Sequence, residues 1–540
     1  MKKILPLFLM LIFGSLNAQY LPVHTSEPVY EFLFELNNEN LININTAALP
    51  YSHKEISKWL EEVDASLLNQ RQEKELAFYR KEYNSTRNIT PGSKRYFLHS
   101  GQGHRFNFFH YSDSLFSLTV NPIFGGDLYL NNNDTASHWW NGAEAYATLG
   151  KWAFYGRLRD NHESQQLTHP DYMNQKYGGS NFKEFSDGKI DFWEYRGGVS
   201  YDFGIGNIGL YKDHFAWGNN YHGSNIFSGR TPSFTNIAFN IKPVSWFEYN
   251  FVHGWLVSEI VDSSRSFNVY SNRGVEFRAV YHTRYLAANL FTFKPFKKLK
   301  LAVGNSVIYD YENPHIAYFI PAIFYKAMDH HLSSGIDNMN EQLFFDVSLN
   351  FIPKTHIYAT LFIDELAVGR IFNPDEFNFI SSKAGIRFEN IIPNMFGGVE
   401  YTYTNALAFQ HFVPTTSFES NRFNLGHYLE DNAMELCLYA GIRPARATKL
   451  LVSYTSAKKG PDHTFLGTEP RIYINPLEPI VWQSDKLSIQ FSWQIIHDLF
   501  LRISYTHSNI RGEEEYLIKY TPEMYHGEVD RFSFGLNYGF

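Results

Sequence analysis

Apolar and polar residues alternate with a period of two along most of this chain. Phe116, Leu118 and Val120 alternate with Ser117, Thr119 and Asn121, and Phe345, Val347, Leu349 and Phe351 with Asp346, Ser348 and Asn350. Ile357, Ala359, Leu361 and Ile363 interleave Tyr358, Thr360, Phe362 and Asp364, and the same rhythm runs through 434–443 and 486–495. Side chains two apart on a strand share a face, so each stretch predicts a strand with one apolar and one polar side. The last ten residues repeat it, with Phe532, Phe534, Leu536, Tyr538 and Phe540 on one face. An aromatic-faced strand at the end of the chain suits the closing strand of a barrel bathed in lipid.

The spacing of these strands is as informative as their pattern. Ile496-His497-Asp498, Arg443 to Ala447 and Ile352-Pro353-Lys354 make short links, while 311–340, 405–433, 457–484 and 509–529 make long ones. Short turns alternating with long loops are what outer-membrane barrels use at their inner and outer ends. The segments 160–190, 213–231, 311–340, 405–433, 457–484 and 509–529 are therefore expected to face outward. Roughly nineteen candidate strands can be read, and antiparallel closure needs an even number. About 18 are expected, with the surplus inside 94–111 or 273–293.

Two other stretches break the period of two. In residues 1–18, Lys2 and Lys3 precede an apolar run from Ile4 to Gly14, with Ala18 before Gln19, the pattern of an export signal. Residues 19–92 read as a small helical bundle. Ser52 and Glu55 are spaced as a capping box, and Ile56, Trp59, Leu60 and Val63 follow at helical spacing. Helices are expected also over 29–36 and 67–83, with Asn88, Pro91 and Gly92 ending the region. The fold class is thus all-β and transmembrane: an antiparallel outer-membrane barrel over 93–540, with a small N-terminal periplasmic helical domain.

Composition fits this reading. The chain of 540 residues holds 48 Phe, 36 Tyr and 10 Trp, while charged residues make up 19%. Mean hydropathy is only −0.32, as alternating lipid-facing and water-facing positions produce. The formal charge of −8 becomes −8 − 2 = −10 without Lys2 and Lys3, which speaks against a nucleic-acid partner. One cysteine, Cys437, excludes an internal disulfide, and its parity faces the lumen. No Gly-x-Ser-x-Gly elbow, His-Glu-x-x-His motif or phosphate-binding glycine loop occurs, so no catalytic residue, cofactor or metal is assigned. His330 and His331 lie near Asp329 and Asp337, but adjacent residues on extended chain point apart.

Several blocks, in order, resemble the Wzi family of capsule-assembly outer-membrane proteins. They are Ser117 to Ile123 with Asn141-Gly142-Ala143-Glu144, Gly209 to Lys212 through Trp217-Gly218 to Phe234, and Val307-Ile308-Tyr309 leading to Tyr318 and Pro321. Leu361 to Glu365, Gly398 to Thr402, Leu425 to Leu429, and the stretch around Pro50-Tyr51-Ser52 continue the likeness, with Asp364-Glu365 where the family often has Asp-Asp. The aromatic, Asn-rich chain looks like versions from Bacteroidetes, some linked to gliding.

The resemblance implies a lectin-like barrel that anchors exported capsular polysaccharide or exopolysaccharide at the cell surface. The implied partners are that polysaccharide, outer-membrane lipid and polysaccharide-export or envelope-machine proteins. Sugar rings lay C–H faces on aromatic rings and take hydrogen bonds from amides and charges. The polysaccharide-contacting candidates are Trp139, Trp140, Trp217, Tyr221, Tyr473 and Trp482, with Tyr172, Tyr177 and Tyr525 among further aromatics and Lys458, Lys459 and Arg471 for acidic sugars. The alternatives are a barrel subunit of a gliding or secretion machine and a passive channel.

Overall fold

A computed structural model of the chain describes residues 20–83, 94–99, 105–132, 134–272, 274–332, 336, 338–370, 378–464 and 477–539. The export-signal residues 1–18, Tyr473, Arg471, Asp337, Pro91 and Phe540 lie outside these. Eighteen antiparallel strands close into one barrel. They are β1 (Phe116–Asn131), β2 (Thr135–Leu149), β3 (Trp152–Glu163), β4 (Ile190–Asp202), β5 (Gly206–Asp213) and β6 (Phe234–Val244). Next come β7 (Phe247–Leu256), β8 (Arg284–Phe296), β9 (Leu299–Tyr309), β10 (Met339–Leu349), β11 (Thr355–Glu365) and β12 (Phe379–Glu389). The ring ends with β13 (Met395–Thr404), β14 (Ala433–Ile442), β15 (Thr448–Lys459), β16 (Trp482–Ile496), β17 (Leu499–Gly512) and β18 (Gly527–Tyr538).

Closure is made between β18 and β1, in register from Arg531 opposite Asn131 to Tyr538 opposite Phe124. The rest of the β1 edge, Ser117 to Val120, pairs instead with the strand Asn107–Ser112, itself hairpinned to Lys94–His99. That hairpin stands outside the ring of eighteen, as does the separate hairpin Phe267–Ser271 with Gly274–Arg278. The first lies at 94–111 and the second overlaps 273–293, the two places where a surplus strand was expected. The second rides on a long connection, 257–283, that the spacing did not single out.

Parity places the lipid belt. On β18, Phe532, Phe534 and Leu536 are exposed while Asn537 is buried, and Tyr538 stacks on Phe124 at 5.5 Å. On β3, Trp152, Phe154 and Leu158 face outward and Tyr155, Arg157, Arg159 and Asn161 face the lumen. At one end the strands join by turns as short as Gly150-Lys151, where Gly150 adopts φ 58°, a conformation glycine takes without a Cβ penalty. At the other end lie the long loops.

A barrel of this strand number would enclose an aqueous channel unless filled. Three helices, α1 (Val29–Asn38), α2 (His53–Glu62) and α3 (Gln70–Tyr83), pack against the lumen wall at the short-turn end. They fall where the sequence pattern predicts helices, and α2 begins with the expected box. The Ser52 hydroxyl accepts from the Glu55 amide at 3.2 Å and the Glu55 carboxylate accepts from the Ser52 amide at 3.1 Å. Their own core joins Phe32, Leu33 and Leu36 to Ile56, Trp59, Leu60 and Leu76.

The loop 214–233, expected to face outward, instead folds into the lumen and meets the helical segment there. Ala48 and Leu49 form a two-residue ladder with Ala216 and Trp217. The driving force is apolar: Phe215, Trp217, Ile226 and Phe227 join Phe344, Phe362, Phe409 and Phe418 in one buried cluster. Gly304 on β9 leaves the space that Phe344 occupies, since an added Cβ would run into its ring. Part of 405–432 turns inward to the same cluster through Phe409 and Phe418.

The outward parity of β18 can be tested directly. Phe534→Arg should lower barrel stability by about 2–4 kcal/mol, the cost of a guanidinium near the bilayer midplane, measured by denaturant unfolding in vesicles.

Candidate functional site

The lumen floor is built by charges that tie the helices to the wall. Arg387 on β12 bonds Glu31 of α1 at 3.0 Å and Glu389 at 2.6 Å, and Arg443 bonds Glu389 at 2.9 Å. Arg71 of α3 reaches Glu35, Glu75 and Asn394. Asn37 accepts from Lys300 at 3.0 Å, Asn45 donates to Glu248 at 3.0 Å, and Tyr79 donates to Gln494 at 3.1 Å. Burial alone would raise the Glu35 carboxyl; Arg443 and Arg71, with a hydrogen bond from Asn390, hold it below the usual carboxylate range. Glu27, enclosed by the lumen with few cations near it, behaves oppositely. Burial pushes its carboxyl up to about 8, with Arg157 opposing and Glu82 and Asp498 adding to the rise.

The inward loop 214–233 is stitched across the lumen by polar bonds. Asn219 donates to Asp346 through its amide nitrogen and its side chain, both at 2.6 Å. Tyr221 donates its amide to Glu400, shares a hydrogen bond with His356 at 2.9 Å, and lies under the Arg387 guanidinium at 4.2 Å. Asn225 donates to the Ser381 carbonyl at 3.0 Å. Helices and loop together obstruct the lumen.

These contacts relocate most of the candidate aromatics. Trp217 is buried and Tyr221 half-buried in the lumen plug rather than offered to the exterior. Trp482 begins β16, buried, with its indole donating to Thr521 at 2.9 Å. Trp139 lies on β2 with 49% exposure on the outward, lipid-facing parity, stacked on His162 at 3.9 Å. Trp140, one residue on, points into the lumen, buried under the Arg159 guanidinium at 4.1 Å. The reason is common to all: in a barrel, strand parity and the need to fill the lumen decide where an aromatic goes, not its place in a long segment. Tyr177 packs between His24 and His214, Tyr525 lies against Arg531, Tyr172 packs on His169, and Lys459 donates to the Asp431 carbonyl at 2.7 Å. Lys458 remains partly exposed.

Cys437 faces the lumen, buried, near Thr455. His330 and His331 sit on a helix, Tyr325–Leu332, not on extended chain. Among the described residues no group of three or more His, Cys, Asp or Glu is placed to hold a metal ion.

The plug separates several lumenal cavities. One of about 460 Å³ lies between α1 and the wall and is reached by Glu31, Arg230, Arg443 and Lys449. Another, of about 300 Å³, is enclosed by β1 to β4, β17, β18 and the loop 164–189. Its wall carries Arg157 and Arg159 of β3, opposite Arg196 and Glu194 of β4 in register. Of the sequence candidates, Trp140 and, among the further aromatics, Tyr177 line it. The signal was available in Arg157-x-Arg159-x-Asn161-x-Glu163, four polar residues on one strand parity.

No family model matches the chain, and no curated protein matches it. Solved structures do. The fold is similar to that of Wzi. That Escherichia coli protein is described as an outer membrane protein involved in group 1 capsule assembly and as a carbohydrate-binding β-barrel. It superposes with a TM-score of 0.58 at 12% identity over 97% of this chain and 100% of Wzi. Pseudomonas aeruginosa OccD3 matches with a TM-score of 0.41 at 9% identity, over 84% of this chain and 95% of its own. Acinetobacter baumannii OccAB2 gives 0.42 at 9% over 78% and 97%. The superposed fold takes in nearly all of this chain and the whole of Wzi.

The floor charges make two predictions. Arg443→Ala, which strips a buried cation from Glu389 and Glu35, should weaken helix docking by about 3–5 kcal/mol, read as faster amide exchange in α1 and α3. The raised Glu27 carboxyl contributes stability that is full below the ordinary carboxylate range and is lost as pH rises toward 8. Exchange in α1 should therefore quicken between pH 5 and 8, and Glu27→Gln should flatten that slope.

Proposed function

We propose that this protein is an outer-membrane carbohydrate-binding barrel of the Wzi type, which holds exported capsular or extracellular polysaccharide at the cell surface. The observation that carries the reading is the end-to-end correspondence with a barrel described as carbohydrate binding. The lumen supports it, because α1 to α3 and the loop 214–233 lie where a diffusion channel needs open space. The short-turn end, with the helices, faces the periplasm, and the long loops face outward. The export signal over 1–18 delivers the chain to that membrane. No catalytic chemistry is required, since retention needs only many weak contacts along a polymer.

The outward loops offer stacking surfaces other than the buried tryptophans. Tyr270, Tyr281 and Phe412 are exposed on 257–283 and 405–432. Each stacking contact adds about 0.5–1.5 kcal/mol beyond area burial, and multivalency multiplies them. A second reading, a barrel subunit of an envelope machine, is favoured by exposed aliphatic residues. Ile316, Ile320 and Val368 stand open on the loops 310–338 and 366–378, as a protein partner would cover.

Cells carrying Tyr270→Ala, Tyr281→Ala and Phe412→Ala together should release polysaccharide into the medium at normal barrel abundance. The purified wild-type barrel should retain the cell's extracted polysaccharide and stay silent in planar bilayers. Steady porin-like conductance would move the assignment to a channel. Failure to retain polysaccharide, with silence, would move it to the envelope machine.

A further inference from the structure

The cavity of about 300 Å³ beside β3 is at the lower end of the roughly 300–1,000 Å³ range of small-molecule sites. Its charged lining side chains are mostly cationic. Arg157, Arg159, Arg196, Arg502 and Lys176 line it, against Asp127 and Glu194. Four of these cations have carboxylates nearby: Arg157 at 3.0 Å from Glu144, Arg196 at 2.6 Å from Asp213, Arg502 at 3.1 Å from Asp127, and Lys176 at 3.7 Å from Glu163. Arg159 forms no ion pair among the described residues; Glu194 stands opposite it in register, and its guanidinium lies on the Trp140 ring at 4.1 Å.

Donors here are left over as well. Trp140 Nε1, Arg157 Nε, Arg159 Nε and Lys176 Nζ are withheld from bulk water without a hydrogen-bond partner. Burial of this kind pulls the Lys176 ammonium below its ordinary range, with Glu163 and Asp127 only partly opposing it. A buried donor left without an acceptor is costly, and an anion accepting these hydrogens removes the cost. The remaining walls, Tyr129, Tyr177 and Phe192, give apolar faces of the kind that cover the C–H surface of a sugar ring. Arginine presents a planar fork that suits a carboxylate in two-point contact.

We propose that this lumenal cavity binds a carboxylate-bearing sugar residue, with the carboxylate held by Arg159 and Lys176 and the ring against Tyr129 and Tyr177. The sugar part of the assignment rests on the carbohydrate reading above; the anion part rests on the cavity alone. It makes the protein selective for acidic over neutral saccharides at a place separate from the exposed loop aromatics Tyr270, Tyr281 and Phe412.

The test uses the full-length barrel in detergent, with glucuronate, glucose and inorganic phosphate as probes in saturation-transfer NMR and titration calorimetry. Glucuronate should bind and glucose should not. Arg159→Gln should weaken glucuronate binding at least tenfold, Lys176→Gln several-fold, and Arg159→Lys should recover part of the loss. Heat-modifiable gel mobility reports that each variant is folded, and Lys176→Gln carries the test if Arg159→Gln does not insert. Glucuronate binding no better than glucose, or unchanged in folded Arg159→Gln or Lys176→Gln, overturns the site. Phosphate competing as tightly as glucuronate overturns the sugar assignment, because the ring would then add nothing. If wild type still retains the cell's polysaccharide while glucuronate fails, the lumenal site falls and the carbohydrate reading stands.

Discussion

Every backbone hydrogen bond that meets hydrocarbon must be satisfied within the protein, because lipid offers no replacement. The pairing of β18 with β1, from Arg531 opposite Asn131 to Tyr538 opposite Phe124, is where that demand is met around the ring. Once eighteen strands close, two surfaces follow with opposite requirements. The outer one must be apolar, and Phe532, Phe534 and Leu536 supply it on the closing strand. The inner one encloses a space wide enough for a water column. What fills that space decides what kind of protein the barrel is.

Here the chain fills it with its own parts, and the filling is polar at the wall and apolar at the centre. The apolar centre, Trp217, Phe227, Phe409 and Phe418, packs on Phe344 of the wall as a soluble-protein core built inside a membrane protein. The polar rim carries buried charges that survive because each finds a partner, as Arg387 and Arg443 do around Glu31 and Glu389. Buried ion pairs of this sort contribute little net stability against apolar replacements but penalise any misplacement. They fix the seating of α1 and α3. Against that background of paired charges, Arg159 forms no ion pair among the described residues and lies on the Trp140 ring instead.

Much of the architecture was legible from periodicity. Alternation at Phe116 to Asn121 or Phe345 to Phe351 gives strand and face together, since parity is a local property of extended chain. The capping box at Ser52 and Glu55 gives the start of α2 for the same reason: its partners lie three residues apart. The expected number of about eighteen strands holds, and the difficulty in counting lay in hairpins such as 94–112 and 267–278, whose local pattern is that of barrel strands. Only pairing partners distinguish them.

The candidate site was far less legible. Trp139 and Trp140 are neighbours in sequence, yet one faces lipid and the other an arginine in the lumen. Trp217 and Tyr221 sit in a long segment that reads as an outward loop, and their destination depends on Ala48, Glu400 and His356, each far away in the chain. By itself the sequence determined the strands, their two faces, the helices and the absence of familiar catalytic motifs, all set by spacings of a few residues. Which long loop turns inward, which charges meet and which polar groups line a cavity depend on ring closure bringing distant residues to one lumen, and only the tertiary structure decided those.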